Sequence, residues 1–201
     1  MAAADARRLA AALYEIGAVK FGEFTLKDGR ISPFYLDLRL LISHPPVLRL
    51  AARLLAQLAD GLAFDRIAGI PYAGLPLAVA LALDINRPMI FARKEAKTYG
   101  TKQLVEGEFR TGERALVVDD VITSGTAKIE ALAPLREAGL VVQDVAVVVQ
   151  RGRRGVELLA QSGVRLHAVV SAQDLFAHLR AERVIGETQL ASAMDFLSGD
   201  Q

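Results

Sequence analysis

A chain of 201 residues is long enough for one α/β domain with a full core and leaves little room for a second independent domain. Just over half of its residues are hydrophobic and its formal net charge is +1, which excludes a disordered chain and argues against a general nucleic-acid binder. The absence of cysteine excludes disulfides and thiolate metal sites.

The apolar segments are too short to cross a membrane. The longest run, about residues 75–83, falls well short of the ~20 residues that a spanning helix needs. Charged residues interrupt the N-terminus, and no apolar core with a cleavage site follows them, so we expect no signal peptide. We therefore expect a cytoplasmic protein that has neither nucleic acid nor a membrane as a partner.

The first forty residues predict a helix and a hairpin. Apolar residues at helical spacing predict an amphipathic helix over residues 2–16. Apolar residues then alternate on both sides of an Asp28-Gly29 turn, which predicts a hairpin that lies as a hood over a sheet edge. Lys27 precedes this turn, and its position alone favours the interpretation that it is a solvent-exposed lysine of the turn.

Strand-like and helix-like segments alternate along the rest of the chain. Strands are predicted at 66–70, 88–92, 115–118, 141–149 and 164–171. Helices are predicted at about 45–60, 75–83, 129–138, 172–180 and 187–196. This alternation predicts a single α/β domain over residues 1–201, with a central parallel sheet flanked by helices.

The turn Pro71-Tyr72-Ala73-Gly74 lies between a predicted strand and a very apolar helix. Such a turn places backbone amides at the carboxyl edge of a parallel sheet, where open α/β folds bind ligands. The alternative is an ordinary turn in which proline and glycine only end the strand and begin the helix, because a strand-turn-helix pattern is weak evidence for a ligand site by itself.

Residues 93–102 are sharply hydrophilic, with four cations and one acid. A long polar loop between two strands is unusual in a compact domain and often functional. A solvated charged loop is the plain alternative.

Residues 115–127 combine a buried strand, two acids and a turn of small residues. The turn, Thr123 to Thr126, contains three hydroxyls and Gly125 at a helix start, where unpaired N–H groups favour a phosphate. Two adjacent acids repel a phosphate unless they bind sugar hydroxyls or the water shell of a divalent cation, so Asp119 and Asp120 indicate a ribose 5-phosphate with a bound metal. An ordinary strand, turn and helix is the alternative.

Three arginines follow the strand at 141–149. These arginines predict either a solvent-exposed strand end or a site in which a guanidinium binds a carboxylate through two hydrogen bonds. Their spacing does not decide between the two. His44, His167 and His178 show no metal-ligand spacing and are interpreted as structural.

The 115–127 segment resembles the signature that type I phosphoribosyltransferases use for 5-phosphoribosyl 1-pyrophosphate (PRPP): four apolar residues, two acids and a turn of Thr, Ser or Ala, Gly and Thr. The motif brings two acids and no cation, so we expect the positive charge for PRPP to come from residues 93–102. Three further strings resemble orotate phosphoribosyltransferases, in the order of that family.

The first string, Phe-Thr-Leu-Lys-x-Gly-Arg-x-Ser-Pro-x-Tyr from Phe24 to Tyr35, is similar to the family's N-terminal hood. Arg-Lys-Glu-Ala-Lys-x-x-Gly, beginning at Arg93, resembles its mobile catalytic loop. Pro-Tyr-x-x-Leu-Pro-Leu-Ala, beginning at Pro71, is more like the first domain of bifunctional uridine monophosphate synthases. Ala73 stands where many bacterial members have lysine, and Tyr99 stands where many have histidine.

This resemblance implies a reaction of orotate with PRPP that gives orotidine 5′-monophosphate and pyrophosphate in pyrimidine biosynthesis, with Mg²⁺ as cofactor. It implies hood elements within residues 1–40 and a mobile loop over residues 94–112. It also implies a homodimer in which this loop is shared between the subunits. No decarboxylase half is expected in these 201 residues.

The resemblance also implies the site residues. For PRPP they are Tyr72, Ala73, Arg93, Lys94, Lys97, Tyr99, Asp119, Asp120, Val121, Ile122, Thr123, Ser124, Gly125, Thr126 and Ala127. For orotate they are Lys27, Phe34, Tyr35, Thr123 and Arg151. Catalytic roles are expected for Arg93, Lys97, Asp119 and Asp120, and the metal is expected to have no direct protein ligand, with Asp119 and Asp120 reaching it through water or the ribose.

Two other functions are consistent with parts of the pattern. A phosphoribosyltransferase for a purine or uracil would keep the 115–127 motif, but it would have no need for Lys27 and Arg151 to face a carboxylate. A PRPP-binding regulator would keep the motif without turnover. The complete cationic loop argues against a regulator, and the low net charge argues mildly against one that acts on nucleic acid.

Overall fold

The computed structural model describes residues 3–26, 29–93 and 104–199. The strands are β1 Val19–Thr25, β2 Ile31–Leu36, β3 Arg66–Gly69, β4 Met89–Ala92, β5 Val105–Glu106, β6 Arg114–Ile122, β7 Val141–Gln150 and β8 Arg165–Ser171. The helices are α1 Ala3–Glu15, α2 Pro45–Ala59, α3 Gly74–Ile85, α4 Thr126–Glu137, α5 Arg153–Gln161, α6 Ala172–Ala181 and α7 Glu187–Gly199, with a 3₁₀ helix over Leu38–Ser43.

Six strands form one sheet in the order β5-β4-β3-β6-β7-β8. The pairs β3-β4, β3-β6, β6-β7 and β7-β8 are parallel, and β5 joins the edge of β4 antiparallel. The predicted α/β fold with a mainly parallel central sheet is therefore confirmed. The short strand β5 lies inside the region predicted as a loop, 94–112, so residues 105 and 106 of that region belong to the sheet.

The central strands β6 and β7 are rich in valine, which suits strands that are buried on both faces. Successive residues point to opposite faces, so Val118 packs with one set of helices and Val117 with the other. Helices α1, α2, α3, α6 and α7 cover the first face. Helices α4 and α5 cover the second.

The motif strand is longer than its apolar residues predict. It continues through both acids to Ile122, because β7 pairs with it as far as Ile122 opposite Gln150. Helix α5 was not predicted: the arginines that follow β7 include its first residue, Arg153, so this stretch begins a helix after Gly152.

The predicted hairpin is present as β1 and β2, with Phe21 opposite Phe34 and Thr25 opposite Ile31. It packs on α7 and α6 through Phe34, whose ring lies edge-on to Phe176 at 4.7 Å and to Phe196 at 5.8 Å between centroids. We call this hairpin the hood. Within the described ranges, no helix has both the length and the apolar character needed to cross a bilayer.

Candidate active site

The carboxyl ends of four parallel strands meet at one edge of the sheet. Strand β3 leads into the 70–74 turn, β4 into Arg93, β6 into the Thr123–Thr126 turn and β7 into Arg151. Strands β3 and β6 are neighbours, yet the chain runs from β3 outward to β4 and from β6 outward to β7 on the other side. This is the topological switch point at which open α/β folds form a ligand crevice.

A cleft of about 750 Å³ opens at this switch point. It is lined by seven residues that the sequence predicts as site residues: Tyr35, Tyr72, Ala73, Arg93, Asp119, Asp120 and Ala127. A larger cavity of about 1000 Å³ lies elsewhere and contains none of the predicted site residues. The chemistry of the smaller cleft makes it the candidate site.

Asp119 and Asp120 form the acidic centre of the cleft. The Asp119 side chain is almost fully buried, and its Oδ1 accepts a hydrogen bond of 2.8 Å from the backbone N–H of Asp120. Asp120 Oδ1 accepts one of 2.6 Å from the N–H of Val121. Burial, together with repulsion from the Asp119 charge, raises the pKa of Asp120 to about 6.

Lys128 is a cation of this site that the sequence analysis missed. Its Nζ donates a hydrogen bond to Asp119 Oδ2, and its side chain is only 13% exposed. The motif of residues 115–127 contains no cation, but the next residue supplies one, because one helical turn after Gly125 returns the chain to Asp119. The sequence signal for Lys128 is its position directly after Ala127, the last residue of the motif.

The 70–74 turn lies in close contact with Asp119. A Cβ on Gly74 would lie 2.4 Å from the carbonyl oxygen of Val118 and 3.1 Å from Asp119 Oδ1. Glycine therefore allows the start of α3 to approach the acid. The turn also contains a cis peptide bond between Pro71 and Tyr72.

Residues 123–126, the predicted phosphate loop, lie at the N-terminus of α4. Thr123, Ser124 and Thr126 are exposed, whereas Ile122 is buried in the core. Gly125 has a φ of 81°, which favours glycine, and a Cβ there would lie 2.9 Å from the Cα of Gly155. Gly155, in the first turn of α5, thus supports the loop from behind, and nothing in the sequence analysis singled it out.

The hood brings two predicted orotate residues to different places. Tyr35 faces the cleft and accepts a hydrogen bond of 3.3 Å at its hydroxyl from Arg39, which in turn pairs with Asp37 at 2.6 Å. Phe34, in contrast, is 1% exposed, so its ring belongs to the core, and its backbone carbonyl accepts a hydrogen bond of 2.7 Å from the Ser32 hydroxyl.

Arg151 directly follows β7 and is not one of the residues that line the cleft. Its guanidinium carbon is 5.4 Å from the ring centroid of Phe34 and 5.4 Å from that of Phe196. Its backbone N–H donates to the carbonyl of Ile122 at 2.9 Å. The two rings and the backbone contact fix this arginine between the hood and the carboxyl end of β6.

Arg93 lies in the cleft and forms an ion pair of 3.3 Å with Glu106 across the β4-β5 edge. Four predicted residues, Lys27, Lys94, Lys97 and Tyr99, lie outside the described residues. Across residues 3–26, 29–93 and 104–199, no group of three histidine or acidic side chains is arranged to hold a metal ion. The acids that line the described part of the cleft are Asp37, Asp119, Asp120 and Glu130.

The family model for the phosphoribosyl transferase domain matches residues 41–171. A bifunctional enzyme PyrF/PyrE of Nostoc sp. is 42% identical over 180 residues, which are 89% of this chain and 38% of that protein. An orotate phosphoribosyltransferase of Pyrobaculum aerophilum is 39% identical over 187 residues, covering 92% of this chain and 96% of that protein.

A solved structure of Leishmania donovani UMP synthase superposes with a TM-score of 0.90 and 40% sequence identity, over 96% of this chain and 42% of that one. The chain therefore spans about two-fifths of the length of the bifunctional relatives that it matches, and nearly all of the single-function relative.

Proposed function

The chain belongs to the phosphoribosyl transferase family, within its orotate phosphoribosyltransferase branch, and from this premise we propose that it transfers the 5-phosphoribosyl group of PRPP to orotate. One observation supports this most directly. A pair of acids, the first turn of α4 and a hood with an aromatic residue line one cleft at the switch point of the sheet, and the phosphate loop leads directly into that helix. Their order matches a ligand with a phosphate, a ribose and a planar base.

The PRPP half of the proposal rests on β6 and α4. The exposed hydroxyls and N–H groups of residues 123–126 would bind the 5′-phosphate at the positive end of α4. Asp119 and Asp120 would accept hydrogen bonds from the ribose hydroxyls. The two acids would face a bound Mg²⁺ through water or the ribose, and this metal would supply positive charge that offsets the negative charge of the leaving group.

Catalysis in this proposal depends on position and charge, because no covalent nucleophile is required. The bond from the anomeric carbon to pyrophosphate breaks as the bond to N1 of orotate forms, the N1 proton passes to water or to the departing pyrophosphate, and the ribose passes through a state with oxocarbenium character. Arg93, with Lys94 and Lys97 from the sequence prediction, would stabilise the growing charge on pyrophosphate. For this, Arg93 would exchange its Glu106 partner for the substrate.

The orotate half rests on the hood and on Arg151. Orotate is a planar carboxylate, and Arg151 offers a guanidinium held between two rings near the end of β7. Tyr35, the backbone at Phe34, Thr123 and Lys27 complete the proposed base site. A purine or uracil lacks the carboxylate and would not need this arginine.

We also propose a homodimer. Helix α3 is strongly hydrophobic and leaves Val79 and Leu83 exposed, with Leu83 80% exposed, and Tyr72, in the turn before the helix, is exposed as well. Such a face fits a second copy of the chain, which sedimentation would detect as twice the mass of 21.6 kDa. A cytoplasmic location is proposed from the absence of cysteine, which suits a reducing compartment.

The test is the loss of orotate absorbance with purified protein, PRPP and Mg²⁺, with uracil, adenine and hypoxanthine in parallel. Orotate should be consumed only when PRPP and metal are both present. Arg151→Gln should abolish most of the orotate turnover, while Arg153→Gln, which removes an exposed arginine two residues away, should not. Consumption of another base in place of orotate would contradict the proposal.

A further inference from the structure

Lys128 occupies an unusual position for a cation. It lies in the first turn of α4, where the helix N-terminus carries partial positive charge, so a lysine there is locally unfavourable. Its side chain is largely withdrawn from water, which adds a desolvation cost. Helix packing does not require it, because Leu132 and Leu135 supply the buried side of α4.

Asp119 offsets both costs. The ammonium bonds to Asp119 Oδ2, and the other carboxylate oxygen accepts from the N–H of Asp120. Both oxygens of this acid are thus held by groups of the same short segment. The carboxylate is fixed in one orientation in the wall of the cleft.

The other cations that the structure describes in the cleft have different partners. Arg39 is bound to Asp37, which lies under the hood, and Arg93 is bound to Glu106 at the sheet edge. Within the described part of the cleft, Lys128 alone pairs with an acid proposed to bind the ribose. A polyanion entering the cleft would therefore meet the Lys128 charge beside both the ribose acids and the phosphate loop.

We infer that Lys128 is a PRPP-positioning residue: its ammonium orients Asp119 for the ribose hydroxyls and adds a full positive charge beside residues 123–126. This inference rests on the proposed function, since it takes PRPP as the ligand. Hydrogen bonds from the ribose hydroxyls would share the Asp119 charge. The ammonium would then interact more strongly with the phosphates, which carry several negative charges.

Two substitutions separate the charge from the hydrogen bond. Lys128→Gln keeps a donor that can reach Asp119 but removes the charge, whereas Lys128→Arg keeps both. Arg53→Met is the matched control, because it removes one exposed cation from α2, outside the cleft. Calorimetry with PRPP and Mg²⁺ in the absence of orotate measures affinity, and steady-state kinetics measures KM for each substrate.

The Lys128→Gln protein should bind PRPP about tenfold more weakly or worse, since it loses a positive charge in a shielded site and keeps only a neutral donor, which makes a hydrogen bond about half as strong as a charged one. Its KM for PRPP should rise by a similar factor, with kcat and the KM for orotate changing less. Lys128→Arg should restore affinity to within about threefold of wild type, and Arg53→Met should not change it.

The outcomes distinguish this inference from the proposed function. If wild-type protein fails to bind PRPP, the proposed function is wrong. If it binds PRPP and Lys128→Gln binds equally well, Lys128 does not position PRPP and the inference is overturned. Urea unfolding of both variants checks the fold, and if Lys128→Gln does not fold, a Lys128→Arg protein that folds but binds PRPP tenfold more weakly overturns the inference as well.

Discussion

Replacing Asp120 with asparagine should make the protein more stable while it removes activity. The carboxylate of Asp120 is held beside Asp119 in a largely buried position, and these two causes raise its pKa from 3.8 to about 6. Asparagine keeps an Oδ1 that can accept from the Val121 N–H, which is 2.6 Å from Asp120 Oδ1. The substitution thus removes the charge and preserves the contact.

The size and sign of this change in the free energy of unfolding follow from proton linkage. The folded protein holds a proton on Asp120 up to about pH 6, whereas the unfolded chain loses it near 3.8, so ionisation lowers the free energy of unfolding as the pH rises through this window. A difference of about two pKa units corresponds to about 3 kcal/mol above pH 7. Below the window both states are protonated and the penalty is absent.

The measurement is urea unfolding of wild type and Asp120→Asn at pH 7.5, 5 and 4. We expect the variant to gain about 3 kcal/mol at pH 7.5, about half of that at pH 5 and little at pH 4. Asp195→Asn, at an exposed position on α7, should show no such trend. An equal gain at pH 4 and pH 7.5, or none at either, would refute this account of the acid pair.

Three further predictions concern the loop, the turn and the far end of the sheet. Lys97→Ala should lower kcat far more than it raises KM, because its proposed contact forms mainly at the transition state; unchanged turnover would exclude that role. Gly74→Ala should cost about 1–3 kcal/mol in urea unfolding and weaken PRPP binding, since its Cβ would lie 2.4 Å from a backbone oxygen of β6, while Gly199→Ala, with open space around it, should do neither. Hydrogen bonds from Arg165 lower the pKa of Asp144, so its charge stabilises the folded state at neutral pH and this stability is lost as the pH falls through the lowered pKa; Asp144→Asn should therefore lower the urea midpoint more at pH 7 than at strongly acidic pH.

The fold could be predicted because its central strands have a strong local signal. Runs such as the valines of β6 and β7 are too apolar for any place but the middle of a sheet, and glycine marks the ends of several elements. Because Asp119 and Asp120 follow such an apolar run directly, their position at the carboxyl edge of the sheet could be predicted as well. Strand β5 and helix α5 were missed because β5 has two residues and α5 begins with two arginines, which favour a solvated tip when they are judged by charge alone.

The site was predicted less completely, because its missing parts depend on contacts between distant segments. The burial of Phe34 requires α6 and α7, more than 130 residues further along the chain. Gly155 matters only because α5 packs behind Gly125. Lys128 is different, since it lies one turn from the motif, and a helical projection of the residues after Gly125 places its side chain next to β6.

The contacts around the acid pair explain why this site is costly to fold and suited to its proposed ligand. Burying two adjacent carboxylates is unfavourable, and the chain offsets the first with Lys128 and leaves the second with a raised pKa. A ribose with Mg²⁺ nearby would supply donors and positive charge to both acids at once. Contacts with the bound ligand would then stabilise the buried charge of Asp120, which has no cation of its own in the described part of the chain. The acid pair therefore lowers the stability of the free protein and favours the binding of PRPP.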